Sequence, residues 1–212
     1  MPCHSGVNSG VAKILDLSQG HSSRIARIRW RAISGISDIQ VPEKPKTTFN
    51  VGIIDGGTSV NSISGDATME VDMRSEDAAS LASVDSKIQK VLHDALTAEN
   101  ARWTSPRAQN AKLSLKIDTM GIRPTGAQAD SAVIVQAALN AAKALGFTST
   151  TGASSTDANI PISLGVPGIR LGGGGRGDGA HSLGESYTDG PNGYLGPQWA
   201  ALLVAALAGV KN

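Results

Sequence analysis

The sequence predicts an α+β domain, built from an antiparallel sheet with two helices on one face, followed by a partial α/β domain. Residues 68–74 and 112–117 alternate apolar and charged side chains, which is typical of strands with one buried face. Two segments with apolar residues at three- and four-residue steps are typical of amphipathic helices that cover such a sheet. After Gly121 the composition shifts to Ala-rich helices and short apolar strands, which indicates a second layer type.

The first helix is expected to begin at Arg24 and to end before Pro42 and Pro45. Its apolar stripe consists of Ile25, Ile28, Ala32, Ile36 and Ile39. The segment 47–54 then reads as a strand that ends at the tight-turn signal Asp55-Gly56-Gly57. Residues 1–23 are left unassigned, although Val11–Leu17 has the composition of a first strand for this domain.

The segment 68–74 is the next expected strand, and a second helix follows with Asp77 as its N-cap. The apolar stripe of that helix consists of Leu81, Val84, Ile88, Leu92 and Ala95. His93 lies off the stripe and is expected to be exposed to solvent. The segment 112–117 supplies a further strand with one buried face.

The change of composition places the predicted boundary between residues 24–122, the first domain, and residues 123–212, the second. In the second domain we expect a helix over 132–145, ended by Gly146, and a short apolar strand over 166–171. A nearly wholly apolar helix is expected over 199–207.

Bulk composition excludes several classes of function. The 212 residues carry a formal net charge of +1, without a basic block that would follow a phosphate backbone, so neither nucleic acid nor an anionic membrane is expected as a partner. The longest apolar run, residues 199–210, is too short to span a bilayer, which needs about 20 residues. Cys3 is the only cysteine, which excludes an internal disulfide and favours a reducing, cytoplasmic location.

A glycine-rich loop follows the apolar segment 166–171 and leads to His181. Its backbone amides, those of Gly174 and Gly175 included, lack Cβ atoms beside them and are free to approach a ligand closely. A neutral imidazole is a good ligand for Zn²⁺ or Co²⁺, and Asp178 or Glu185 is placed to orient it. The alternative is a flexible surface loop with a structural histidine.

Two long motifs resemble one enzyme family. Residues 46–77 are similar to the dimerisation, or lid, domain of the M20 metallopeptidases, and residues 154–187 are similar to the C-terminal catalytic segment of that family. The resemblance implies amide hydrolases of the aminoacylase and dipeptidase type, with two Zn²⁺ or Co²⁺ ions, a glutamate as general base and substrates that carry a free carboxylate. It also implies a homodimer formed through the lid domain.

The resemblance assigns roles to individual residues. His181 matches a metal ligand, Asn61 matches an asparagine that reaches the partner subunit's substrate site, and Asp157 matches an acid that lines the site. Arg74 and Arg123 match arginines that hold the substrate carboxylate, a role that suits the bidentate guanidinium fork. His21, within Gly20-His21-Ser22, resembles a histidine that supports the transition state, although the sequence after it is shorter than the family pattern. From the residues alone, Arg74 and Arg123 also fit solvent-exposed positions, and Asp157 also fits a helix N-cap.

The catalytic half of the family pattern has no counterpart in the chain. None of the four histidines is followed by Asp two residues later, and the chain contains no Glu-Glu dipeptide. A catalytic zinc needs about three protein ligands plus water, so the chain alone is predicted to be inactive. Three interpretations remain: the C-terminal portion of an M20 hydrolase, whose missing N-terminal half would be a partner; a non-catalytic dimerisation module; or an unrelated small-anion-binding protein.

Overall fold

The computed structural model describes residues 2–7, 9–18, 24–62, 64–104 and 112–210. Contacts divide the chain into a first unit, residues 9–124, and a second unit, residues 1–8 with 125–212. In chain order the elements are β1 (Pro2–Val7), β2 (Ser9–Ser18), α1 (Arg24–Ser37), β3 (Thr47–Asp55), β4 (Asp66–Ser75), α2 (Ala78–Arg102), β5 (Ser114–Arg123), β6 (Gly126–Ala127), α3 (Val133–Ala144), β7 (Thr150–Ala153), α4 (Asn159–Ser163), β8 (Arg170–Leu171), β9 (Arg176–Asp178), β10 (Ser186–Thr188) and α5 (Leu195–Ala208).

The first unit is an antiparallel sheet in the order β3-β4-β2-β5. β2, which contains the predicted strand Val11–Leu17, pairs along its whole length with β4, from Ser9 opposite Ser75 to Ser18 opposite Asp66. The predicted alternation in β4 is confirmed: its apolar residues are buried in one row, and its charged residues lie on the opposite face. The fold class predicted for this part of the chain is confirmed.

Both helices of the first unit pack on the apolar face of this sheet. Their predicted stripes form one core with the buried row of β4 and with Leu113. The N-cap prediction for α2 is confirmed, since Asp77 Oδ2 accepts a hydrogen bond of 2.7 Å from Ser80 N. The backbone hydrogen bond from Ser80 holds the pKa of the Asp77 carboxyl below its ordinary value of 3.8, because it favours the charged form. His93 is exposed, as expected.

The cause of the end of α1 and the start of the chain both differ from expectation. α1 ends at Ser37, five residues before Pro42, and Ile39 is only partly buried against the core. The helix tightens at its end, where Ile39 N donates to Ile36 O at 3.1 Å and Ser37 Oγ donates to Ser34 O at 2.8 Å, so the prolines follow the end without causing it. Residues 2–7, which were left unassigned, form β1 in the second unit.

The second unit has a small mixed sheet around β1. This strand pairs in parallel with β7 and antiparallel with both β6 and β8. The predicted strand over 166–171 is mostly wrong, because only Arg170 and Leu171 pair. Pro167 removes a ladder donor just before Gly168, and both residue types weaken strands.

The core of the second unit lies between α3 and α5. Trp199 is fully buried and donates a 2.7 Å hydrogen bond from Nε1 to Ala138 O, and its ring meets Phe147 edge-on at 5.2 Å. Alanines of α3 leave room for this large side chain. Both helices occur where the sequence predicted them, within a few residues. Among the described residues no helix is long and apolar enough to cross a membrane.

Candidate functional site

His181 lies in the loop that joins β9 to β10. The loop is held by its own backbone and by Ser182, whose hydroxyl donates to Gly179 O at 2.7 Å and accepts from Gly184 N at 3.2 Å. His181 has a φ of 64°, and its backbone N donates to Glu185 Oε2 at 3.0 Å. A left-handed conformation is uncommon for a residue with a Cβ and occurs preferentially at functional sites. The loop therefore presents this histidine to solvent in a defined backbone conformation.

The carboxylates expected to orient the imidazole do something else in the structure. Asp178 pairs with Arg176, which donates through Nε and Nη2 at 2.8–3.1 Å, and Glu185 accepts only from the backbone of His181. Arg176 reaches Asp178 because it lies two residues away on the same strand face, and an orienting role of either carboxylate at a metal-bound His181 stays a prediction. In the described part of the chain the His181 side chain makes no hydrogen bond or ion pair.

The described residues contain no group of three or more His, Cys, Asp or Glu side chains able to hold a metal ion. An imidazole is a suitable zinc donor, but one donor does not make a catalytic site, which needs about three protein ligands. The donor set of the described residues by itself therefore does not fit a catalytic metal.

The glycine loop is packed tightly against its own unit. A Cβ on Gly174 would lie 1.9 Å from Gly193 O, and a Cβ on Gly175 would lie 2.5 Å from Tyr187 Oη. Gly196, at the start of α5, approaches the loop equally closely, because its Cβ would lie 2.1 Å from Gly173 C. These glycines are required for packing against neighbouring backbone, a reason that the sequence pattern did not reveal.

A cavity of about 890 Å³ opens beside this loop. Its lining includes Gly174 and Gly175, Asp178 and Glu185 from the ends of the hairpin, and Arg170 from β8. Arg170 is exposed and was not selected by sequence reasoning, although its position directly before the glycine loop is a usable signal. The lining of the cavity therefore combines a guanidinium, loop backbone and two carboxylates.

Arg74 and Arg123 are brought together by the sheet of the first unit. Gly10 of β2 stands opposite Arg74 of β4 on one side and opposite Arg123 of β5 on the other. Residues in one row share a face, so both side chains leave the sheet on the face away from the helices. Arg74 donates to Asp72 Oδ2 at 2.6 Å, and both of these side chains are more than 40% exposed.

Asn61 lies in the loop between β3 and β4 and is exposed. Its Oδ1 accepts a 2.6 Å hydrogen bond from Ser59 Oγ, and its two amide donors make no hydrogen bond within the described residues. The base of the loop is fixed by Arg29, which donates from Nη1 to Asp55 O at 2.9 Å. His21 lies outside the described residues.

Asp157 is exposed at the turn before α4, and the alternative role as an N-cap is wrong. The N-cap position is Ala158, which has no side-chain cap bond, and its backbone N donates to Thr156 Oγ1 at 3.2 Å. Asn159, missed by sequence reasoning, is fully buried and accepts from Thr156 N at 2.8 Å. The turn therefore presents the Asp157 carboxylate outward, while Thr156 and Asn159 fix its shape.

One protein-family model matches the N-terminal part of the chain. Residues 3–100 match the family model described as the peptidase dimerisation domain. None of the curated proteins compared with the chain matches it.

Solved structures share the fold. A tripeptidase from Staphylococcus aureus matches with a TM-score of 0.64 and 18% identity over 98% of this chain and 54% of its own. The aminopeptidase PepT from Bacillus cereus matches with a TM-score of 0.58 and 18% identity over 97% of this chain and 51% of its own. The enzyme AtUAH, in complex with (S)-hydroxyglycine, matches with a TM-score of 0.70 and 16% identity over 98% of this chain and 49% of its own. The chain thus spans about half the length of the structures it matches.

Proposed function

Residues 3–100 of the chain belong to the M20 peptidase dimerisation family, and from this premise we propose that the chain is the C-terminal portion of a metal-dependent hydrolase. This hydrolase cleaves amide or peptide bonds in substrates that carry a free carboxylate. By itself the chain binds part of the substrate and does not turn it over. The match of residues 3–100 to the dimerisation domain supports this proposal over an unrelated anion-binding protein.

The observation that carries the proposal is the row formed by Arg74, Gly10 and Arg123. Two strand spacings separate the arginines, which is about 9.6 Å between backbones, and glycine leaves the space between them open. Long guanidinium side chains from both sides reach a carboxylate placed over Gly10. The ion pair between Arg74 and Asp72 is exposed and contributes roughly 1 kcal/mol or less, so a substrate carboxylate competes with it.

Turnover requires groups that the described residues do not supply. His181 offers one of about three metal ligands, and a catalytic Zn²⁺ or Co²⁺ would need further donors and a general base from an N-terminal portion. The exposed loop and free imidazole leave His181 accessible to such a partner. The solved structures that share the fold are about twice as long as this chain, which is consistent in length with a further N-terminal portion.

The first experiment is to sequence the coding DNA upstream of Met1. The proposal expects an N-terminal portion that encodes His-x-Asp and Glu-Glu. Co-expression of that portion with the chain should give bound metal and hydrolysis of N-acyl amino acids, and neither portion alone should be active. A complex that binds no metal, or upstream DNA without those motifs, would contradict the proposal.

The carboxylate role is tested in the reconstituted enzyme. Arg74→Gln and Arg123→Gln should each raise KM for N-acyl amino acids, because each removes one guanidinium from the row beside Gly10. Lys116→Gln is the matched control, since Lys116 is another exposed cation of the same sheet and pairs with Asp118 at 2.5 Å. If all three substitutions raise KM equally, the loss of positive charge on the sheet explains the effect, and Arg74 and Arg123 do not form a specific carboxylate site.

A non-catalytic dimerisation module is the second candidate. It is favoured by the extent of the family match, which covers the dimerisation domain, and by the edge strand β3. No charged residue lies between Lys46 and Asp55, and Ile53 and Ile54 are both exposed, so this edge lacks the usual protection against pairing. A homodimer through the first unit is expected under both candidates.

Light scattering separates the candidates when it is combined with the co-expression test. Ile53→Lys should convert a dimer to a monomer, whereas Met120→Lys on the opposite edge strand β5 should not, although Met120 is similarly exposed. A dimer whose activity is never restored would favour the module over the hydrolase. A dimer insensitive to Ile53→Lys would remove β3 as its interface.

A further inference from the structure

A groove of about 670 Å³ runs between α1 and α2 on the first unit. The α1 wall runs from Arg27 to Gly35, a length of about 12 Å at 1.5 Å per residue. Its lining residues are Arg27, Trp30, Arg31, Ser34, Gly35, Val91, Asp94 and Ala95. The groove is closed at one end because a Cβ on Gly35 would lie 2.7 Å from Val91 Cγ1, so the two helices meet there.

Positive charge concentrates at the other end of the groove. Arg27 and Arg31 lie one helical turn apart, and each Nε stands 3.8 Å from a carboxylate oxygen of Glu99. Glu99 is fully buried, and its Oε1 accepts a 2.8 Å hydrogen bond from Trp103 Nε1. One buried carboxylate thus faces two guanidiniums, and Asp94, the acid that lines the groove itself, is paired with Lys90 at 2.5 Å.

The guanidiniums of Arg27 and Arg31 form ion pairs with Glu99, but their hydrogen-bond donors have no acceptor in the described residues. Within the described residues neither Arg27 nor Arg31 donates a hydrogen bond, and Glu99 Oε2 and Arg27 Nε are buried without a hydrogen-bond partner. Each guanidinium carries five N–H donors in a planar fork. Their side chains are 40% and 44% exposed, so guanidinium donors other than the buried Arg27 Nε are accessible from the groove. A carboxylate is the acceptor whose geometry matches this fork.

The rest of the groove is apolar. Trp30 is 66% exposed and offers an aromatic surface beside the arginines, and Val91, Ala95 and Gly35 form an uncharged floor. We propose that the groove between α1 and α2 binds small amphipathic carboxylates, with the carboxylate on Arg27 and Arg31 and the apolar body between Trp30 and Val91. A saturated chain of about eight carbons fits within the roughly 12 Å length of the α1 wall.

This site is separate from the arginine row in the proposed function. Arg74 and Arg123 leave the sheet on the face opposite to the helices, whereas Arg27 and Arg31 belong to the helix layer. Binding in the groove does not depend on metal, catalytic turnover or an N-terminal portion. Its failure and the failure of the hydrolase proposal are therefore distinguishable.

The experiment uses the full chain and octanoate, followed by the indole N–H signals of its three tryptophans in ¹⁵N-edited NMR. Octanoate should shift the Trp30 signal in a saturable manner and leave that of Trp199, buried in the second unit, unchanged. Octylamine, with the same chain length and the opposite charge, should not bind. No shift of Trp30, or an equal response to octylamine, would overturn the proposal.

Variants locate the site. The double substitution Arg27→Gln and Arg31→Gln should weaken octanoate binding at least tenfold, and Trp30→Ala, an exposed change that leaves the fold intact, should weaken it severalfold. Arg74→Gln with Arg123→Gln should leave octanoate binding unchanged. If the sheet variants abolish binding while the helix variants do not, octanoate occupies the substrate row and the groove proposal is wrong.

Discussion

Gly196 offers a sharp test of how the glycine loop is packed. It is buried at the start of α5, and a Cβ added there would lie 2.1 Å from Gly173 C, 2.2 Å from Gly173 O and 2.4 Å from Gly174 N. All three are backbone atoms, which do not rotate away as a flexible side chain does. Gly196→Ala must therefore displace either the loop or the first turn of the helix.

Two effects oppose each other in this substitution. Alanine in place of glycine stabilises a helix by up to about 1 kcal/mol. Overpacking in a well-packed core costs about 1–3 kcal/mol, and contacts with backbone belong at the upper end of this range. The net destabilisation of the second unit is therefore expected to be about 1–2 kcal/mol. At roughly 4–8 °C per kcal/mol for a domain of this size, its Tm should fall by about 4–16 °C.

The assay is thermal unfolding of the second unit, followed by the indole N–H signal of Trp199, which requires the packed α3–α5 core. Gly173→Ala is the matched control, because a Cβ on Gly173 meets no atom within 4 Å. The control should unfold within about 0.5 kcal/mol of the parent chain. If Gly196→Ala and Gly173→Ala unfold at the same temperature, close approach of neighbouring backbone is not the reason that glycine is required at position 196.

Three further outcomes are expected. Asp77→Ala should lower the Tm of the first unit at neutral pH. The difference in Tm between this variant and the parent chain should disappear as the pH falls below 3.8 through the depressed pKa of folded Asp77, since protonation removes the charged cap. Glu99→Ala should cost about 1–3 kcal/mol in urea titrations, and Glu99→Gln less, because glutamine still accepts from the neighbouring indole. His181→Asn should leave stability within about 0.5 kcal/mol, because the side chain is exposed, while atomic emission analysis of the reconstituted enzyme should show less bound metal.

The first unit was largely predictable because its elements have one buried face. Alternation in 68–74 and the helical stripes report burial directly, and the structure buries those residues. β1 escaped prediction because Pro2–Val7 has no apolar alternation, and its pairing with β6, β7 and β8 comes from residues more than a hundred positions away. Long-range pairing of this kind leaves no local signal.

The candidate site was predictable to a different degree. The family motif selected His181, but the local pattern gave no sign that Arg176 would engage Asp178 or that Glu185 would bind a backbone amide. Register, and not spacing, brings Arg74 and Arg123 into one row, since 49 positions of sequence separate them. Roles that depend on a Cβ meeting distant backbone, such as that of Gly196, appear only in three dimensions.

The path of the chain has an energetic consequence. β1 pairs with β6 through Gly6 opposite Ala127, and in the sequence the whole first unit lies between these two strands. When that unit folds, Gly10 and Arg123 become paired neighbours. The roughly 110 residues that connect β1 to β6 then act as a short loop, which lowers the entropic cost of bringing β1 and β6 together by about 3 kcal/mol. Unfolding of the first unit should therefore loosen the β1–β6 pairing, whereas loss of that pairing need not disturb the first unit.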